Sequence, residues 1–125
     1  MNALQMATSA YSGRKAPVRT NRGTEYEVFA RVTQKMRAAL AEGTLGFPKL
    51  AAALHDNRQL WTLLAADVAD PENALPQRLR AQIFYLAEFT GLHSAKVLAG
   101  KASAEALVEI NTAVMRGLRS EGSAT

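Results

Sequence analysis

The 125-residue chain contains no cysteine. Disulfides, thiolate metal sites and a cysteine nucleophile are therefore excluded, and the composition suits a reducing cytosol. Aromatic residues are scarce, with one Trp, three Tyr and four Phe. No uncharged apolar run approaches the ~20 residues that cross a bilayer; Leu60 to Ala66 is bracketed by Arg58 and Asp67. A basic n-region followed by an apolar h-region is also missing, which argues against a secretory signal. The acid-poor start has only a faint compositional likeness to an organellar transit peptide. The sequence therefore reads as a soluble protein without membrane insertion.

Acidic residues are absent from positions 1–23, where Arg14, Lys15, Arg19 and Arg22 stand. Those four bases equal the whole formal charge of +4, and the remaining body holds eleven bases against eleven acids. A basic isoelectric point usually suggests nucleic acid or a membrane surface. Here it describes one arm on a neutral body. The arm has no interleaved aromatics apart from Tyr11 and no supporting basic stripe, which disfavours direct nucleic-acid binding.

Alanine, at 24 of 125 residues, dominates the body together with Leu, Glu, Gln, Arg and Met. That is helix composition. Asn2 to Tyr11 suits a short helix with little apolar surface to hold it, and Ser12 to Gly23 reads as an extended connector. Thr24 and Glu27 stand at capping-box spacing and predict the start of the first long helix. Its buried face is Phe29, Val32, Met36 and Leu40, and Gly43 and Gly46 end it. Pro48 opens the next helix. Asp56 and Gln59, again at capping-box spacing, suggest a kink or fresh cap before the face of Leu60, Leu64 and Val68, and Asp70-Pro71 stops the segment.

A third helix is expected from Pro76 through Leu79, Ile83, Leu86 and Phe89 to about Ala99, with a bend at Gly91. Ser103 caps the last helix, which shows Leu107, Ile110, Val114 and Leu118 at helical spacing. Arg116 and Arg119 would complement its C-terminal dipole, and Ser120 to Thr125 reads as a disordered tail. The expected architecture is all-α, a compact bundle of four or five helices over residues 24–119 behind a flexible basic N-terminal arm, 1–23.

Sequence support for catalysis or a cofactor is thin. His55 and His93 lie on different predicted helices without a nearby ligand-type partner, so no metal site is expected. Gly100-Lys101-Ala102-Ser103 echoes the end of a phosphate loop but lacks its first glycine and preceding strand. It reads better as a helix stop followed by an N-cap. Carboxylates are scattered as surface charges, and an enzyme is not expected.

The segment from Asp56 to Trp61 carries more information. A single tryptophan brings a large apolar area, and its N–H needs a partner. Core and binding surface both suit Trp61, and the same alternative stands for Tyr26 and Phe29.

Four blocks then stand in order: Glu25-Tyr26-x-x-Phe29-x-Arg31-x-Thr33; Ala53-Leu54-x-Asp56-Asn57-Arg58-x-Leu60-Trp61-x-x-Leu64-x-x-Asp67; Asn73-x-Leu75-Pro76-x-x-Leu79-Arg80-Ala81; and Ile110-Asn111-x-Ala113-x-Met115-x-Gly117-Leu118-Arg119. Together they resemble the flagellar biosynthesis regulator FlaF family over about residues 8–119, with a loose match in the arm. The resemblance implies a small cytoplasmic, non-enzymatic protein that acts with flagellin as a secretion chaperone and positive regulator, opposite FlbT. A post-transcriptional role on flagellin mRNA, direct or through FlbT, is the alternative it leaves open. Aromatic and arginine side chains are favoured at binding hot spots. The expected partner groove for flagellin's amphipathic terminal segments therefore comprises Tyr26, Phe29, Arg31, Asp56, Asn57, Arg58 and Trp61, with the arginines as polar rim.

Overall fold

The computed structural model describes the backbone of residues 21–124 and the side chains of residues 26–117. The expected short helix in Asn2 to Tyr11 and most of the connector lie outside the described residues. Within them the chain forms four long α-helices: α1 (Asn21–Ala41), α2 (Phe47–Ala69), α3 (Gln77–Leu98) and α4 (Glu105–Ala124). A 3-10 turn, Gly43–Gly46, joins α1 to α2.

The stops follow backbone chemistry. Gly43 and Gly100 take φ of +64° and +75°, the left-handed conformation that a Cβ penalises, and each ends a helix. Gly46 is needed for a different reason. A Cβ there would press into the Ala39 carbonyl oxygen and lie 2.9 Å from the Glu42 Cβ, so the elbow closes directly onto the end of α1. Pro48 sits in the first turn of α2, where no N–H bond is lost. Asp70 leaves helical geometry ahead of Pro71 with ψ of 127°.

Three expectations need correction. Thr24 is no N-cap, because α1 already runs from Asn21. Asp56-Asn57 neither kinks nor restarts α2, which is continuous over 23 residues. Arg116 and Arg119 fall short of the last turn of α4, since the helix extends to Ala124 through the segment read as a tail. The IFYL run is helical, and α3 passes Gly91 without a break.

The helices alternate in direction. α1 packs on α2 and α4, α2 packs also on α3, and α3 and α4 meet only slightly. Two apolar clusters are stacked along the bundle. One contains Phe29, Leu60, Trp61, Leu64, Val68 and Met115; the other contains Met36, Leu50, Leu54, Val97, Ala104 and Leu107. On α1, α2 and α4, a single buried polar residue falls between the two: Thr33, Asn57 and Asn111.

Candidate functional site and its polar support

Asn111 joins those three residues to the tryptophan. Its Oδ1 accepts the Trp61 indole N–H at 3.1 Å, while its Nδ2 donates to Asn57 Oδ1 at 2.8 Å and to Thr33 Oγ1 at 3.1 Å. One amide thus serves α1, α2 and its own helix α4. Buried polar groups cost free energy unless paired, so sliding any of these helices by one turn would set a polar group against an apolar layer. The node fixes register as well as adding bonds. Only the Asn57 Nδ2 within it lacks a partner. Phe29 closes the arrangement edge-on to Trp61, with ring centroids 5.8 Å apart at 78°.

Of the seven residues expected to meet a partner, Phe29, Asn57 and Trp61 are therefore interior, at 1%, 0% and 2% exposure. Arg31 and Arg58 are exposed, and Tyr26 and Asp56 are half-buried. Asp56 is paired with Lys35 at 3.0 Å, tying α2 to α1. Arg58 borders a shallow hollow of about 470 Å³ on α2, lined with His55, Gln59, Thr62 and Leu63. Of the outward residues, only Arg58 lines that hollow; Asp56, two positions earlier on α2, turns instead toward α1, and Tyr26 packs against the core cluster.

Further cross-links hold the frame. Arg37 donates to Thr112 Oγ1 at 3.0 Å, from α1 to α4. Arg80 of α3 donates to the carbonyls of Val68 and Asp70, at 3.0 and 2.9 Å, and so satisfies the C-terminus of α2. Asn73 donates to the Asp67 carbonyl at 3.2 Å and accepts the Leu75 N–H at 2.9 Å, which shapes the α2–α3 turn. Sequence spacing did not reveal these clamps, although Asn73 and Arg80 stand in the quoted blocks.

Asp67 is the anomalous group. It is buried near the end of α2, and neither carboxylate oxygen has a hydrogen-bond partner. Burial pushes its pKa up from 3.8 to about 6; Asp70 nearby adds to the rise and Asn73 opposes it.

The histidines have structural surroundings. His93 stacks on Phe89 at 5.1 Å, and its Nε2 lies 2.8 Å from the Ser103 carbonyl oxygen. His55 is exposed on α2. Among the described residues, no group of His, Asp or Glu is placed to hold a metal ion. Ser103 Oγ accepts the Glu105 N–H at 3.1 Å. With the left-handed Gly100, that makes the Gly100–Ser103 segment a helix stop followed by a cap.

All four sequence blocks thus supply side chains to one frame: Thr33 and Phe29, Asn57 and Trp61, Asn73 and Arg80, and Asn111. The family comparison agrees with that distribution, since the model for the flagellar protein FlaF matches residues 7–118. The chain belongs to the FlaF family. No curated protein and no solved structure matches. FlaF membership makes this a flagellar-system protein and suggests partners within that system. No helix among the described residues is long and apolar enough to cross a membrane.

Proposed function

We propose that this FlaF protein is a non-enzymatic, cytoplasmic secretion chaperone that binds flagellin and promotes its synthesis, export and assembly into the filament. Family membership across residues 7–118 carries this reading. Its physical support is a register-locked bundle with an exposed polar rim. Flagellin's terminal segments are amphipathic, and a groove that takes their apolar anchors would keep them from associating prematurely. The docking face in this reading centres on Arg58 and the hollow it lines beside Leu63 on α2, with Tyr26, Arg31 and Asp56 as the other accessible residues of the expected set. Phe29, Asn57 and Trp61 contribute from beneath by fixing the two helices. Burial of three expected contact residues thus changes their role to support.

The test is co-purification of the full chain with full-length flagellin and with flagellin lacking its terminal segments. Recovery of the first and not the second is expected, and recovery of neither overturns the reading. Arg58→Glu, with helicity and melting unchanged, should weaken capture about tenfold, as truncating or reversing a hot-spot charge does. The basic arm motivates a second reading, action on flagellin mRNA directly or through FlbT. It requires salt-dependent binding to that transcript which disappears when residues 1–23 are removed.

A further inference from the structure

α3 is apolar on two sides. Its inward side packs Ile83, Leu86 and Val97 on the core clusters, yet its outward side leaves Tyr85 66% and Leu92 70% exposed, with Phe84 also exposed. Scattered exposed apolar residues need no explanation, but three large ones on one helix, Phe84, Tyr85 and Leu92, do. Arg78, Ala81, Tyr85, Glu88 and Leu92 recur at steps of three, four, three and four, the seam by which two helices pack together. Among the described residues no other helix covers this seam: α3 packs on α2 and barely meets α4.

The seam complements itself when reversed. Placed antiparallel to a second copy, with the two-fold axis at the level of Ile83, Arg78 falls opposite Glu88 and Ala81 falls opposite Tyr85. Each contact occurs twice, as a two-fold interface demands. The charges are available, since neither Arg78 nor Glu88 has an ion-pair or hydrogen-bond partner among the described residues. The shapes agree too. Hollows of about 400 and 520 Å³ flank Tyr85, and both include the small Ala81, where the aromatic ring of the other copy would seat. A foreign helix has no such constraint to satisfy; one basic, one acidic, one large and one small residue at mutually matching positions favour a second copy.

We propose that the outward face of α3 is a homodimer interface, two α3 helices packing antiparallel through Tyr85–Ala81 contacts and reciprocal Arg78–Glu88 ion pairs. A single helix pair buries a small area, so the dimer is transient, with a dissociation constant of about 1–100 μM. This goes beyond the flagellin reading and uses a different face. Arg58→Glu leaves the dimer intact, so failure of either proposal is distinguishable from failure of the other.

Sedimentation equilibrium of the full chain at concentrations from about 2 to 500 μM, chosen to span that range, tests it. The mass should climb from 13.5 kDa toward twice that value. Glu88→Arg and Arg78→Glu should each weaken association about tenfold or more by setting like charges together. The double variant Arg78→Glu/Glu88→Arg should recover to within about threefold of the starting protein, because the pair is restored in reverse. All these positions are exposed, and circular dichroism verifies folding of each variant. A chain that stays monomeric throughout overturns the proposal, as does a dimer insensitive to the single reversals or not rescued by the double one. If the chain is monomeric but loses flagellin when Tyr85 is replaced with Ala, the face belongs to a foreign helix and the proposal fails.

Discussion

Replacing Asn111 with Leu tests the frame at its centre. The substitution keeps roughly the same volume and removes one acceptor and one donor group that together make three bonds. Left behind are the Trp61 indole N–H, the Asn57 carbonyl oxygen and the Thr33 hydroxyl, all in residues at most 2% exposed. Each unsatisfied buried group costs about 1–3 kcal/mol. The Thr33 hydroxyl can rotate, so two groups dominate, and the added apolar burial of Leu offsets about 1–2 kcal/mol. At the midpoints of those ranges the net loss is about 2.5 kcal/mol, a large share of the 5–15 kcal/mol typical of a domain. Urea unfolding followed by helicity and by Trp61 fluorescence measures it; with one tryptophan in the chain, the emission reports on the node alone. A double-mutant cycle with Asn57→Leu should give a coupling of about 1 kcal/mol or more. A loss below about 0.5 kcal/mol, with additive effects in the cycle, would refute the claim that the node holds the bundle.

Three other outcomes follow from local geometry. Gly46→Ala forces a Cβ against the Ala39 backbone and should cost about 2–3 kcal/mol. Gly43→Ala meets nothing within 4 Å and pays only the left-handed strain of about 1 kcal/mol; equal melting of the two variants would refute the distinction. Asp67 binds a proton more tightly when folded, so its contribution to stability is fully present below pH 3.8 and is lost as pH rises through about 6. Asp67→Asn should therefore flatten the fall in stability between pH 4 and 7 in urea titrations, and an unchanged pH slope would count against a buried, unpaired carboxylate. Arg80→Met retains the aliphatic stem but frees the Val68 and Asp70 carbonyls, at a cost of about 1–3 kcal/mol read by thermal melting. No change in melting would mean that water caps α2 equally well.

Helix centres were legible because they rest on local periodicity. Phe29, Val32 and Met36, or Leu60, Leu64 and Val68, mark their buried faces by spacing alone, and the structure buries all six. Helix starts were less legible. Thr24 has the chemistry of a cap, but capping requires the preceding chain to leave the helix, and α1 continues upstream to Asn21. Asp56-Asn57 suggested a break because two polar residues interrupt an apolar face. Their meaning lay in other helices: Lys35 pairs with Asp56, and Asn111 meets Asn57 across 54 positions of sequence. The expected site was uncertain for the same reason. An aromatic residue on a helix has the same sequence signature whether it faces partner or core, and only the packing of α4 against α1 and α2 encloses Phe29 and Trp61. On α3, periodicity through Ile83, Leu86 and Phe89 finds the inward side, which packs on both core clusters, although Leu79 is exposed and the most deeply buried residues, Thr90 and Ser94, are polar. The exposed Tyr85 and Leu92 on the opposite side leave no such periodic signature.

The polar node also sets an order of assembly. Contacts among α1, α2 and α3 join neighbours in sequence, whereas the Thr33–Asn111 bond spans 78 positions. Loop-closure entropy must be met before that distant bond contributes anything. The first three helices therefore gather early, and the arrival of α4 is the late event. Until then, the indole N–H of Trp61 must keep a water molecule, so the tryptophan stays wet while most of the helical backbone has formed. In stopped-flow refolding, the far-ultraviolet signal should accordingly run ahead of the indole emission, the interval between them being the time the last helix takes to dock.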